Sequence, residues 1–270
     1  MGIARRAGSR AGRKAGRIRS WFDMMLFYLG LTAFGIMCLT WSLPAGLLHR
    51  VLSVRRGAPI GQFGIMGGFR IFIGMMKALG LFRCDLTALD SLRHDGPLII
   101  AVNHPSLLDA LLVISRLPRV VCITKAALWD NWFLGGGIRL AAYIRNDAPL
   151  ELTRLAVAEL RAGHQLLIFP EGTRTRRGPV DDFKGGFAIM ARAAGVPIQT
   201  VFLDSDTRYL TKGWTLFRRP DFPLTFRARL GQRLMVTGTT KAFTTDLQHY
   251  FADEVAKAGP LAPDPAFTRC

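Results

Sequence analysis

Hydrophobic positions fall into three regimes along the chain. Residues 24–48 carry no charge across 25 positions, enough for a helix to cross a bilayer. Trp21, Phe22 and Tyr28 lie toward one end and Trp41 toward the other, as interfacial aromatics do. Pro44 is expected to end or kink this helix. Residues 61–82 form a second apolar stretch, rich in Phe, Ile, Met and Gly, with Arg70 and Lys77 as its only charges. That pattern predicts an interfacial or re-entrant helix. From about residue 84, short apolar runs alternate with helical stretches of about a dozen residues. Strands are expected at 97–102 (PLIIAV), 120–124 (VVCIT), 140–144, 165–169 (QLLIF) and 197–203. A strand pair turning near Gly231 is expected within 222–236. Helices are expected at 106–117, 149–161, 184–194 and 243–258, with Pro149 in a first turn and Gly163, Gly195 and Gly259 just past helix ends. Strand–helix alternation implies an α/β sheet with helices packed on it.

Charge refines this layout. Residues 1–20 hold seven bases and no acid, which predicts a solvated, disordered tail able to lie against an anionic membrane surface. Without it, 29 bases still face 19 acids in the remaining chain. The whole chain carries +17 over 270 residues, is 50% hydrophobic and has a mean hydropathy of +0.22. Such a composition excludes wholesale disorder and fibrous repeats. It points to an anionic partner, and the apolar balance favours lipid over nucleic acid. Four cysteines with no CxxC spacing suggest neither a zinc site nor a disulfide framework. The expected organisation is a basic tail at 1–20, membrane-associated helices at 21–82, a catalytic domain at 83–258 and a frayed end at 259–270. The basic tail should stay cytoplasmic. A single crossing would then put the rest outside, whereas a hairpin, or two helices on one leaflet, would keep it inside.

Candidate chemistry sits where strands end, as sites of α/β folds do. Asn103-His104-Pro105-Ser106-Leu107-Leu108-Asp109 follows one strand. Inside a regular helix His104 and Asp109 would lie about 140° apart. They meet if His104 precedes the first turn and Asp109 reaches back, and Pro105 favours that arrangement. A carboxylate on one imidazole nitrogen leaves the other as a general base. Phe169-Pro170-Glu171-Gly172-Thr173-Arg174 follows another strand. There Gly172 permits a tight turn, Arg174 could fork onto a phosphate, and Glu171 could bind substrate hydroxyls or hold Arg174. Arg145 closes a further run.

In this order and spacing, the three blocks resemble the glycerolipid acyltransferase family, specifically the bacterial 1-acylglycerol-3-phosphate acyltransferases and their relatives. The NHxSxxD block matches Asn103, His104, Ser106 and Asp109. A block ending in arginine matches Arg145. FPEGTR followed by Ser matches Phe169 to Arg174, with Thr175 in the last place. The fourth region matches Phe183, Lys184 and Gly186, then Val196, Pro197 and Ile198. The resemblance implies a mixed, largely parallel sheet flanked by helices and preceded by N-terminal membrane-associated helices. It implies that a fatty acyl group passes from acyl-CoA or acyl-carrier protein to the hydroxyl of a lysophospholipid, 1-acyl-sn-glycerol 3-phosphate giving phosphatidic acid. His104 would be the base and Asp109 its orienter. Asn103, Ser106, Arg145, Glu171, Gly172, Thr173 and Arg174 would contact substrate. No metal or organic cofactor is implied beyond the acyl-CoA or acyl-carrier protein co-substrate. The partners would be membrane phospholipids and the lysophospholipid acceptor, with no nucleic acid. The location would be the inner membrane of the cell, with the catalytic domain on the cytoplasmic side. The family's usual glutamine or arginine is replaced by Pro105, which bears on the acceptor; lyso-ornithine lipid and a specialised polyene lipid are alternative acceptors. A non-enzymatic basic binder is the remaining alternative class.

Overall fold

The computed structural model of the chain describes residues 3–258 except 177, 208, 216, 217 and 219, and only the backbone of 3–20. The expected frayed end at 259–270 lies outside the described residues.

Seven strands form one sheet in the order β1-β7-β6-β2-β5-β3-β4. They span Phe82–Asp85 (β1), Ile99–Val102 (β2), Val120–Thr124 (β3), Ile144–Arg145 (β4), Gln165–Ile168 (β5), Ile198–Ser205 (β6) and Leu224–Leu234 (β7). Strands β6, β2, β5, β3 and β4 run parallel. Strand β7 is antiparallel to β6 and parallel to β1. The sheet is therefore mixed and largely parallel, as the resemblance implies.

Side chains alternate faces along each strand. Ile100 and Val102 enter one core while Ile99 and Ala101 enter the other. Parallel strands covered on both faces need unbroken apolar runs, and β2 and β5 are fully buried. The second core is closed by α6 (Pro149–Arg161), α7 (Gly186–Ala194) and α8 (Thr240–Ala258) through Leu160, Phe187 and Phe251. The first is closed by α1 (Ile3–Val51), α2 (Val54–Ala78), the 3-10 helix Thr87–His94 and α3 (Asp109–Ile114). Short helices α4 (Ala126–Trp129) and α5 (Gly135–Leu140) join β3 to β4.

Helices α1 and α2 form an antiparallel hairpin over a two-residue link. Phe34 meets Phe72 with ring centroids 4.4 Å apart, and Trp41 lies against Gly64. Helix α1 runs on through Pro44 instead of ending there. Packing outweighs the lost hydrogen bond, because Ser42 abuts Gly136 of α5 and Ala45 is fully buried. The backbone of 3–20 continues the same helix, where charge alone predicted a disordered tail. Alanine and arginine favour helix, and extending an existing helix is easier than nucleating one.

Three expectations are corrected by packing. Gly231 sits inside one continuous strand, β7, not at a turn between two. A Cβ there would come within 2.5–2.7 Å of Thr200, Phe202 and Tyr250, so crowding selects glycine. Residues 140–144 are mostly the end of α5 and a turn, and only Ile144–Arg145 pairs as strand. The helix expected at 106–117 is confined to Asp109–Ile114. The Ser106 hydroxyl holds the preceding turn out of helix, accepting from the Leu108 N–H at 3.2 Å and donating to the Tyr209 carbonyl at 3.0 Å.

Candidate active site

The carboxyl ends of β6, β2 and β5 lie side by side. Strand β2 delivers Asn103 and His104, β5 delivers residues 169–175, and β6 delivers a segment running from Asp206 back to β7. Asn103 is buried and faces β6, where its amide donates to the Leu203 carbonyl at 3.1 Å and accepts from the Leu203 N–H at 2.7 Å. Both ends of its side chain are therefore bound to backbone, and its role is to fix the exit of β2.

His104 leaves the strand just before the turn. Its Nδ1 lies 2.9 Å from Asp109 Oδ2, which also accepts the Ser106 N–H at 2.7 Å. The reach back predicted from Pro105 is thus formed. Nδ1–H faces the carboxylate, and Nε2 has no hydrogen-bond partner among the described residues. The imidazole stacks on Phe169 with centroids 4.0 Å apart and planes 21° apart. Asp109 is only 2% exposed. Burial pushes its carboxyl up, against the hydrogen bond and charge of His104 and the Ser106 N–H, which pull it down.

The 169–175 loop grips His104 by its backbone. Glu171 Oε1 accepts the His104 N–H at 3.1 Å, and the Thr175 N–H donates to the His104 carbonyl at 2.8 Å. Glu171 also accepts from the Thr175 hydroxyl at 2.9 Å and the Asp181 N–H at 2.8 Å. It is 1% exposed, and burial holds its carboxyl above the usual range. Gly172 closes the turn, its N–H donating to the Phe169 carbonyl at 2.8 Å, with φ at +68° where a Cβ is disfavoured. Thr173 accepts from Lys212 Nζ at 3.0 Å. Arg174 Nη1 donates to the Leu210 carbonyl at 2.7 Å and to Thr211 at 3.3 Å.

The structure thus gathers Asn103, His104, Ser106, Asp109, Glu171, Gly172, Thr173 and Arg174. Asn103, Ser106 and Glu171, expected to contact substrate, instead bind protein through their polar atoms. Arg145 is not brought in. It ends β4, three strand spacings or about 14 Å from β2, and pairs with Asp130 at 2.7 Å and with Asp147. Sequence reasoning missed Phe169 as the plate under the imidazole and Thr175 as the carbonyl partner, although both lie in the motif. It also missed Tyr209 to Lys212, which no motif marks. Among the described residues, no group of three or more His, Cys, Asp or Glu is placed to hold a metal.

Two hollows are lined in part by chain neighbours of the pair, Pro105 and Ala110. A cleft of about 480 Å³ opens from Pro105 past Thr175, Arg176 and Lys212. An apolar cavity of about 210 Å³ lies under the hairpin, between Phe34, Trp41, Ile65, Ile114 and Tyr143, and extends to Ala110 beside Asp109.

The family model described as Acyltransferase matches residues 83–204. The chain is 26% identical over 242 residues to the 1-acyl-sn-glycerol-3-phosphate acyltransferase alpha of Mus musculus, covering 87% of this chain and 78% of that protein. It is 24% identical over 247 residues to the 1-acyl-sn-glycerol-3-phosphate acyltransferase of Pseudomonas aeruginosa, covering 88% and 91%. Its fold is similar to that of the 1-acyl-sn-glycerophosphate (LPA) acyltransferase PlsC of Thermotoga maritima, with a TM-score of 0.65 at 17% identity, over 92% of this chain and 99% of that one.

Proposed function

Because the chain belongs to the acyltransferase family, and is an O-acyltransferase, we propose that it acylates the hydroxyl of 1-acyl-sn-glycerol 3-phosphate to give phosphatidic acid. One observation carries this reading. A histidine has its Nδ1 held by a buried carboxylate, and chain neighbours of the pair, Pro105 and Ala110, stand in the walls of a cationic cleft and an apolar cavity. The cationic surround suits phosphate-bearing substrates and the cavity suits a fatty chain.

His104 Nε2 takes the acceptor hydroxyl proton as that oxygen attacks the thioester carbonyl carbon. The tetrahedral intermediate collapses with cleavage of the C–S bond. The departing thiolate receives the proton back from Nε2. Asp109 keeps the proton of Nδ1 in place and stabilises the imidazolium between these steps. The histidine is a base and not a nucleophile, so no acyl-enzyme forms, and the acyl donor is the one co-substrate needed. Arg174 has Nη2 and Nε beyond its backbone bonds and Lys125 lies nearby, so both are suited to the acceptor phosphate.

The hairpin supports membrane attachment. Residues Trp21–Val51 of α1 are long and apolar enough to cross a bilayer. Trp21, Met25, Leu29, Ile36, Leu43 and Leu47 are exposed on it. Yet α1 also lies against the catalytic layer from Phe27, which meets Tyr209, to Ser42, which meets Gly136. A crossing would carry that layer to bilayer depth. The reading is a hairpin in one leaflet, with the catalytic domain on the cytoplasmic face of the inner membrane.

The test uses detergent-solubilised protein, labelled lysophosphatidic acid, and acyl-CoA or acyl-carrier protein, beside His104→Ala. Phosphatidic acid from the wild type alone supports the reading. A folded wild type inactive with both donors overturns the acceptor assignment and directs the assay to a panel of other lysolipids, lyso-ornithine lipid among them.

A further inference from the structure

The cleft beside His104 holds more cationic and aromatic surface than one acceptor phosphate requires. It begins at Pro105 and continues past Arg176 and Lys212 to Trp214 and Arg218. The Arg218 guanidinium stands 4.4 Å over the indole of Trp214, whose Nε1 donates to the Arg218 carbonyl at 3.1 Å. Trp214 packs edge-on against Tyr209 at 6.0 Å. The Tyr209 carbonyl in turn accepts the Ser106 hydroxyl. The aromatic wall is thus tied to the turn that carries the base. Arg174 and Thr173 fasten the same segment from the other side, through Leu210, Thr211 and Lys212.

Positive charge prevails around the cleft. Partial desolvation, then Arg176, Lys125 and Arg174, push the Lys212 ammonium down, against the nearby Asp181 carboxylate, which pushes it up. No carboxylate of a described residue forms an ion pair with Lys125, Arg174, Arg176, Lys212 or Arg218. Asp181, nearby, accepts the Arg176 main-chain N–H and donates its own to Glu171. Cations gathered around a concave site attract a polyanion. A glycerol phosphate supplies one phosphate and no flat ring. The thioester donor must approach the same His104 Nε2, and one donor class carries three phosphate groups and a purine.

We propose that the cleft from Pro105 to Arg218 binds the nucleotide end of an acyl-coenzyme A donor, with Arg176, Lys212 and Arg218 on its phosphates and Trp214 against the adenine. The thioester then enters past Pro105, and the acyl chain turns toward the apolar cavity. This assignment rests on the acyl-transfer reading above and names its donor. A carrier protein would bring a single phosphodiester and a broad acidic face, for which a walled cleft is the wrong shape.

The test compares acyl-CoA with the S-acyl pantetheine of the same chain, which keeps the thioester and lacks the phosphates and the base. The wild type, Trp214→Ala, Trp214→Phe and Arg218→Ala are assayed in detergent at fixed lysophosphatidic acid. The ratio of kcat/KM for acyl-CoA to that for S-acyl pantetheine is expected to fall about tenfold or more in Trp214→Ala and Arg218→Ala. In Trp214→Phe most of the ratio should return, since a phenyl ring still stacks and still fills the place beside Tyr209. An unchanged ratio overturns the proposal. So does a loss shared equally by both donors, which would mean a structural or acceptor-binding role. So does a loss seen only with acyl-carrier protein or only in binding to anionic vesicles. Calorimetric titration with free coenzyme A reads the cleft without turnover. Binding by the wild type that weakens in both alanine variants supports the assignment even if the acceptor is another lipid, and no binding by the wild type overturns it.

Discussion

The Glu171 carboxylate accepts the main-chain N–H of His104 at 3.1 Å, so the acid of one motif holds the backbone of the base in the other. Its second oxygen accepts the Asp181 N–H and its first also accepts the Thr175 hydroxyl. A glutamine here would turn an NH₂ group toward one of these donors. The effect should fall on the placement of Nε2, not on acceptor affinity. Glu171→Gln is expected to lower kcat by about 10- to 100-fold with little change in acceptor KM. Steady-state kinetics in lysophosphatidic acid check this; a raised KM at unchanged kcat would return Glu171 to the acceptor.

Removing the base itself is a larger loss. His104→Ala should lower kcat by about 10²- to 10⁴-fold, with the far-ultraviolet spectrum and thermal midpoint retained, because the ring stacks on Phe169 and its hydrogen bond among the described residues goes to a side chain, Asp109. Asp109→Asn should lose activity on a similar scale, since a neutral amide no longer stabilises the imidazolium that forms when Nε2 takes the proton. Its amide oxygen can still accept the Ser106 N–H, so the turn should hold. Paired melting curves and turnover measurements distinguish lost chemistry from lost fold.

How much of this was legible in the sequence depended on whether the cause was local. The helix Pro149–Arg161 and the strand Val120–Thr124 coincide with the ranges their patterns predict, because a proline start, a glycine stop and an unbroken apolar run are local signals. The His104–Asp109 contact was legible because Pro105 constrains the backbone between them. Contacts between distant segments were not. Asn103 and Ser106 belong to the matched motif, yet what they hold is Leu203 and Tyr209, about a hundred residues away. Gly231 looked like a turn because a strand glycine squeezed by Thr200, Phe202 and Tyr250 has the same letter as a hinge. Arg145 matches by position, but its place at the sheet edge follows from strand order, which no motif encodes.

His164 gives a pH dependence of stability. Its Nδ1 lies 2.7 Å from Glu159 Oε2, and that hydrogen bond raises the imidazole above its ordinary 6.5, against partial burial and Arg119. A raised folded value means that the pair stabilises fully below the unfolded value and that this is lost as pH rises through the folded one. Because the ring is 38% exposed, the effect should stay below about 1 kcal/mol. Urea midpoints taken at about pH 5.5 and about pH 8.5 should differ by more in the wild type than in His164→Gln. Equal differences would show that other groups carry the dependence.

The hairpin is docked through glycines, and the contacts differ enough to be separated by substitution. At Gly61 a Cβ would lie 2.3 Å from the Ala141 nitrogen and 2.5 Å from the Leu140 carbonyl carbon. Both are backbone atoms of the turn that leads into β4, so neither can swing aside as a side chain would. At Gly74, on the same helix, a Cβ meets nothing within 4 Å. Gly61→Ala must therefore push α2 off α5, at a cost of about 1–3 kcal/mol. Gly74→Ala removes backbone freedom from a helix without a clash and should be neutral or stabilising by up to about 1 kcal/mol. Thermal unfolding in detergent should show opposite or clearly unequal shifts for the two variants. Activity adds a second readout, because the apolar cavity has α2 residues Ile65 and Phe69 on one wall and α5 residues Gly137 and Ile138 on another. Displacing α2 in Gly61→Ala should alter which acyl chain lengths are used, whereas Gly74→Ala should leave that profile as in the wild type. Matching melting shifts in the two variants would mean that the hairpin is not held by this glycine contact.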